Sequence, residues 1–238
     1  MPFRIAFDLD GVLADMSAAL TREEHRLMGV HEMLLPPLRL GEGDLETDLS
    51  GAAADPVVAE MQSHGLTPVQ QKLLWRSVAR TPNFWETLAE FEPGSVRSLD
   101  ELTRELRWEI IFLTRRPNTA GDTVQVQTQR WLERHGFKRP SVFVVNGSRG
   151  KVADALGLDC VVDDLPVNCV DVLSDSKAKA VLVWRGRSAT VPAGARRLGI
   201  RVVRSMAECL DVLVAWEDRA HRRAWKRVVA ALRPTAVI

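Results

Sequence analysis

The chain has 238 residues, a mass of 26.5 kDa, 46% apolar and 26% charged residues, and a formal net charge of +1. That mix excludes a disordered or fibrous chain, and the balance of 32 basic and 31 acidic residues excludes a general polyanion binder. Three cysteines without a CxxC spacing exclude a disulfide framework and suit a reducing compartment such as the cytoplasm. The N-terminus has no signal-peptide pattern, and no apolar run is long enough to span a membrane.

In chain order, Phe3–Phe7 reads as a short strand ending at Asp8. Apolar runs at Ile110–Leu113, Val142–Val145, Cys160–Val162 and Val181–Trp184, with a weaker one at Arg201–Val203, read as further strands covered on both faces. Helical patterns lie between them at Thr123–His135 and Lys151–Leu156, and Ser205 with Glu208 is a capping-box start. Strands alternating with helices predict an α/β, Rossmann-like parallel sheet.

The interval from Asp15 to about Leu106 breaks that rhythm. It shows helical patterns near 16–28, 55–64, 68–80 and 95–106, a Pro- and Gly-bearing loop at 36–51, and no strand. A crossover needs only about a dozen residues, so the interval reads as an inserted helical cap. The expected division is residues 1–15 and 106–216 as core, 16–105 as cap, and 217–238 as a basic C-terminal helix or tail. Residues 16–105 hold 8 basic and 15 acidic residues, and 106–216 hold 17 and 11. Such a split either focuses a small anion toward the core or is solvated surface charge.

Chemistry concentrates at strand ends. Asp8-Leu9-Asp10-Gly11-Val12-Leu13-Ala14-Asp15 puts two carboxylates at i and i+2 after a strand, where open α/β sheets bind ligands. Close carboxylates repel, and a divalent cation relieves the repulsion. The second predicted strand ends in Thr114, followed by Arg115 and Arg116, whose guanidinium groups suit phosphate. Lys151 opens the helix after the third strand. The fourth strand ends in Asp163-Asp164. Singly, each has an ordinary reading as an acidic turn, a hydroxyl at a strand end or a surface lysine. Gly147–Lys151 has the wrong glycine spacing for a phosphate-binding P-loop.

Taken together, in this order, these elements resemble the four motifs of the haloacid dehalogenase (HAD) superfamily of phosphotransferases. The resemblance implies Asp8 as the nucleophile, Asp10 as general acid/base, Thr114 and Lys151 on the phosphoryl group, and Mg²⁺ held by Asp8, the Asp10 carbonyl and Asp164. It implies Asp163 as a supporting carboxylate beyond the metal ligands, and an aspartate at the position of Asp10 marks the phosphatase branch. Over most of residues 3–215 the chain further resembles the 5′(3′)-deoxyribonucleotidases, which have C1 caps between the first two motifs. Asn83-Phe84-Trp85, Phe91-Glu92-Pro93-Gly94, Thr114-Arg115-Arg116-Pro117, Gln129-Arg130-Trp131-Leu132-Glu133 and Val162-Asp163-Asp164 hold the places of that family's strings. Arg115 stands where the family has serine, adding charge beside the phosphate.

The resulting expectation is an Mg²⁺-dependent phosphomonoesterase acting on a nucleoside monophosphate. The alternatives are another small phosphomonoester such as a sugar phosphate, nucleic-acid ends, or a non-catalytic binding module on the same fold. Phe84 and Trp85 either stack a base or pack the cap, and Trp75 reads as core. The five histidines form no metal-ligand spacing, and the basic tail from Arg219 to Arg233 reads as a solvated face or an oligomer contact. No membrane or stable nucleic-acid partner is expected, and a homodimer stays open.

Overall fold

The computed structural model describes residues 2–34, 66–185 and 193–231. The predicted loop at 36–51 and the helical pattern at 55–64 lie outside these residues, as do His31, His64, His221 and Trp225 as side chains.

Six strands form one parallel sheet: β1 (Arg4–Asp8), β2 (Glu109–Thr114), β3 (Ser141–Val144), β4 (Cys160–Asp163), β5 (Lys179–Val183) and β6 (Arg201–Val203). Their spatial order is β3-β2-β1-β4-β5-β6, so β1 is central and is paired on both sides. This is the doubly wound order, in which ligands bind beyond the carboxyl ends of the strands where the order reverses. That point lies between β1 and β4, at Asp8.

Both faces of the sheet are covered. Ile5, Phe7, Phe112, Val162 and Val181 pack into one core with Trp108, Trp131 and Leu213. Ala6, Ile111, Leu113, Val161 and Leu182 face the other, with Val172, Ala195 and Ile200. Alternate residues of each strand therefore enter different cores, and a strand buried on both faces loses the alternation of a half-exposed one.

Among the described residues the helices are α1 (Met16–Leu34), α2 (Pro68–Arg80), α3 (Ser95–Leu106), α4 (Val124–Arg134), α5 (Arg149–Ala155), α6 (Pro166–Asp175), α7 (Ala193–Arg197) and α8 (Met206–Ala231), with a 3₁₀ turn at Phe84–Glu86. Thr67 and Gln70 form a reciprocal capping box at α2. Ser205 Oγ accepts from Glu208 N at 3.1 Å, while the Glu208 carboxylate accepts from Arg204 N at 2.9 Å. No helix among the described residues is long and apolar enough to cross a membrane.

Three expected boundaries move. β5 starts at Lys179 and ends before Trp184, whose N–H instead bonds Val203 O at 2.7 Å. The helix expected at Lys151 starts at Arg149, because Ser148 Oγ caps it by accepting from Lys151 N at 3.0 Å. The boundary expected at 217 falls inside α8, which runs unbroken from Met206 to Ala231. Glu217 is buried there and accepts from Trp108 Nε1 at 2.7 Å, so it belongs to the core.

Where the chain leaves the sheet after β1 and where it returns before α3, the two segments are stitched together. Asp15 N bonds Ala89 O at 3.0 Å and Phe91 N bonds Leu13 O at 2.7 Å, around an antiparallel bridge between Ala14 and Glu90. Arg185, at the end of β5, donates to the carbonyls of Gly11 and Val12 and to Glu92 Oε1 at 2.8 Å. The turn following Asp10 is thus held from below by the core.

Candidate active site

The carboxyl ends of β1, β2 and β4 and the first turn of α5 converge. Asp8 ends β1 and is 8% exposed. Asp163 ends β4 and is fully buried. Arg149, the first residue of α5, lies between them: its Nη2 donates to Asp8 Oδ1 at 2.6 Å and its Nε is 3.8 Å from Asp163 Oδ2. Arg149 is itself 6% exposed, and its Nη1 is buried without a hydrogen-bond partner among the described residues.

Two buried carboxylates thus share one guanidinium. Burial pushes the Asp8 carboxyl well above the usual aspartate range; repulsion from Asp163 adds to this and Arg149 opposes it. Burial also raises Asp163, against Arg149 and the bonds from Leu165 N and Asn168. Asn168 Nδ2 lies 3.0 Å from both oxygens of Asp163, and Leu165 N donates to Oδ1 at 2.9 Å.

Close backbone approaches set this geometry. Gly11 has φ +77°, and a Cβ there would lie 2.0 Å from Asp164 Oδ2, so only glycine lets the Asp164 carboxylate reach the turn after Asp10. Gly150 is pressed onto α6: a Cβ would lie 2.2 Å from the Asp171 carbonyl oxygen. Asp171 Oδ2 accepts from Gly150 N at 3.0 Å and from Ser148 Oγ at 2.8 Å, which fastens the start of α5 to α6 and carries Arg149 to Asp8.

Asp10 is held from the β2 side. Arg116 Nε donates to its Oδ2 at 2.8 Å and Nη2 to its Oδ1 at 2.7 Å, while Thr114 Oγ1 is 3.4 Å from Oδ2. Thr114 and Arg116 are buried and Arg115 is half-buried. Arg116 Nη1 donates to Thr128 Oγ1 of α4 at 3.0 Å, and the Trp85 ring centroid lies 5.0 Å from the guanidinium carbon.

The structure therefore brings Asp8, Asp10, Thr114, Asp163 and Asp164 to one end of the sheet, and two expectations change. Lys151 is exposed; the cation on Asp8 is Arg149. Two residues along an α-helix are about 200° around its axis, so a helix starting at Arg149 turns Lys151 to the other side. Phe84 and Trp85 are not a base platform. They are 4% and 0% exposed, meet edge to face, and Trp85 Nε1 donates to Pro117 O at 3.0 Å. Trp75 is half-buried against the same core, as expected. Of the expected surface or packing histidines, His25 is exposed and His135 packs on Trp131.

Sequence reasoning missed Arg149 and Asn168 and gave Arg116 no particular partner. Ser148, a good N-cap before Arg149, was the available signal for the first. Among the described residues, no three His, Cys, Asp or Glu side chains gather into a ready-made metal site. The expected donor set needs only two carboxylates, those of Asp8 and Asp164, with the Asp10 carbonyl.

No family model matches the chain and no curated protein does. Solved structures do resemble it. A HAD family hydrolase from Deinococcus radiodurans R1, with bound phosphate and sodium, is 18% identical over 90% of this chain and 96% of that one, with a TM-score of 0.54. A predicted phosphatase from Clostridium acetobutylicum is 12% identical over 90% and 99%, with a TM-score of 0.56. A putative β-phosphoglucomutase from Thermotoga maritima is 19% identical over 90% and 99%, with a TM-score of 0.53. At these identities the likeness is one of fold, and the chain has the α/β fold of HAD-family hydrolases.

Proposed function

We propose that the protein is a phosphomonoesterase that works through an aspartyl phosphate on Asp8. The observation that carries the reading is the pairing at the end of the central strand: a buried Asp8 carboxylate 2.6 Å from a buried Arg149, whose Nη1 has no acceptor among the described residues. A buried N–H of a cation without an acceptor is costly, and a phosphoryl oxygen beside Asp8 supplies the acceptor. Asp8 attacks phosphorus and the bond to the leaving oxygen breaks. Arg149 neutralises charge on the transferring group, Thr114 offers it a hydroxyl, and Arg115 adds positive charge at the same strand end. Asp10 gives its proton to the leaving oxygen, then takes one from the water that hydrolyses the acyl phosphate.

The donor chemistry fits Mg²⁺. All expected ligands are hard oxygens, and two buried carboxylates with raised proton affinity share a single guanidinium, so the site is short of positive charge. Asp8, Asp164 and the Asp10 carbonyl would hold the ion, which supplies charge neutralisation on the phosphate. Asp163 orients Arg149.

The nucleotidase resemblance makes a nucleoside monophosphate the finer expectation. A sugar phosphate is the second reading, favoured by the burial of Phe84 and Trp85, which removes the aromatic pair offered for a base. A small substrate of either kind fits the expected partner, a homodimer stays open, and a cytoplasmic location is part of the proposal. The test is phosphate release with Mg²⁺ from dAMP, AMP, glucose 6-phosphate, β-glycerol phosphate and p-nitrophenyl phosphate. Asp8→Asn serves as control. Turnover lost in the folded variant supports the reading; turnover equal to wild type refutes it.

A further inference from the structure

We propose that Arg116 is the positioning residue of Asp10, and that Trp85 and Thr128 exist at this site to hold Arg116 in that role. The proposal rests on the phosphomonoesterase reading, in which Asp10 is the acid and base.

Four observations carry it. The Arg116 fork meets Asp10 with two parallel bonds, 2.8 Å to Oδ2 and 2.7 Å to Oδ1. A bidentate pair fixes the plane of a carboxylate as well as its place, which a single lysine ammonium does not. The Arg116 side chain is 0% exposed while that of Asp10 is 14% exposed, so the anchor is buried and the working end faces the site mouth. The third contact of the guanidinium, 3.0 Å to Thr128 Oγ1, ties it to α4. Its central carbon lies over the Trp85 ring, 5.0 Å from the centroid, and Trp85 is anchored twice: its backbone N–H on Gln127 Oε1 at 3.1 Å and its indole N–H on Pro117 O at 3.0 Å. The guanidinium is thereby held by α4 through Thr128 and by a Trp85 ring that is itself anchored.

The geometry also says how the pair can be compatible with proton transfer. A carboxylate has about four lone-pair directions. The fork takes one on each oxygen and Thr114 Oγ1, at 3.4 Å, faces a second on Oδ2, leaving an outward direction on Oδ1 for the leaving oxygen and, in the second step, for water. Without the fork, Asp10 keeps only the long 3.4 Å contact from Thr114, and proton transfer depends on a group that is only sometimes aimed.

A merely structural ion pair would also be buried and bidentate, so the test must separate the two. Arg116→Met, Arg116→Lys, Asp10→Asn and the Arg116→Met/Asp10→Asn double variant are compared in single-turnover and steady-state phosphate release. The substrates are p-nitrophenyl phosphate, whose leaving group needs little protonation, and the fastest alkyl ester of the panel above. Positioning predicts that Arg116→Met loses about 30-fold or more in kcat on the alkyl ester, with KM changed by less than about threefold. The first turnover on p-nitrophenyl phosphate stays within about threefold of wild type. Arg116→Lys recovers part of the loss. Adding Arg116→Met to Asp10→Asn costs nothing further, because the group it positions is already gone. Equal slowing of the first turnover on both substrates, or losses that multiply in the double variant, overturns the proposal and leaves the phosphatase reading intact. No release by wild type on any substrate overturns both. If Arg116→Met does not fold, Thr128→Val removes only the third contact. It must then show the same leaving-group signature at smaller size, and a uniform loss on both substrates again refutes the role.

Discussion

Gly150→Ala tests whether the placement of α5 delivers the site cation. The added Cβ would lie 2.2 Å from Asp171 O and 2.7 Å from Asp175 Cβ. A carbon and a carbonyl oxygen rest at about 3.3 Å or more, so α5 and α6 must separate by about 1 Å at this point. The obstacle is backbone on one side and a helix on the other, so neither can yield by a rotamer change. Overpacking of this kind costs about 1–3 kcal/mol, and the better helix propensity of alanine returns less than about 1 kcal/mol. The net expectation is a loss of about 1–2 kcal/mol of stability. The same movement lengthens the 2.6 Å contact between Arg149 and Asp8 past hydrogen-bond range. A misplacement of that size is worth about 100-fold in turnover. Urea unfolding gives the first number and phosphate release from p-nitrophenyl phosphate the second. A variant with wild-type stability and wild-type kcat would refute the packing argument and the role of Arg149 together. Lost stability with unchanged kcat would refute the role alone.

Three further expectations follow from the same geometry. Arg149→Lys, which shortens the reach and loses the fork, should cost about 10²–10³ in kcat, whereas Lys151→Ala should stay within about twofold; the reverse pattern would return the site cation to Lys151. Asp8 and Asp163 are raised above the ordinary value of 3.8, so in metal-free protein the folded state keeps protons that the unfolded state has released. Stability then falls as pH rises from about 4 through the folded-state values and levels off above them. Asp8→Asn removes its share of that fall, so in EDTA its melting temperature should gain on wild type with rising pH; parallel curves would show that Asp8 is not strained by burial. Trp85→Ala should cost about 3–5 kcal/mol in urea unfolding, and a cost below about 1 kcal/mol would mean that the ring is not core.

Much of the molecule was legible because its signals are local. Strands buried on both faces read as short apolar runs, and the order of runs and helical patterns was enough for a parallel α/β sheet. The carboxylates at Asp8, Asp10, Asp163 and Asp164 sit at strand ends, so finding the strands found them. The start of α8 was likewise readable from a few adjacent residues.

What the sequence left open depends on partners far away in the chain. Arg116 and Asp10 are 106 residues apart, and Arg149 and Asp8 141; nothing local distinguishes Arg116 from Arg115, or Arg149 from Lys151, as the one turned inward. For Arg149 the decision lies in where α5 starts and how closely Gly150 lets it approach α6, since a shift of two residues reverses which side chain faces the sheet. For Trp85 it lies in Pro117 and Gln127, which close around the ring and turn an apparent platform into core. The continuity of α8 through residue 217 was hidden for a related reason. Its basic residues suggested a separate tail, but Glu217 is held by Trp108, 109 residues earlier, and that contact exists only once the sheet has brought β2 beside the helix. Composition and spacing determined which carboxylates, hydroxyls and cations stand at which strand ends. Tertiary packing decided which charged side chains are buried together, because burial and pairing are properties of contacts that no stretch of sequence contains.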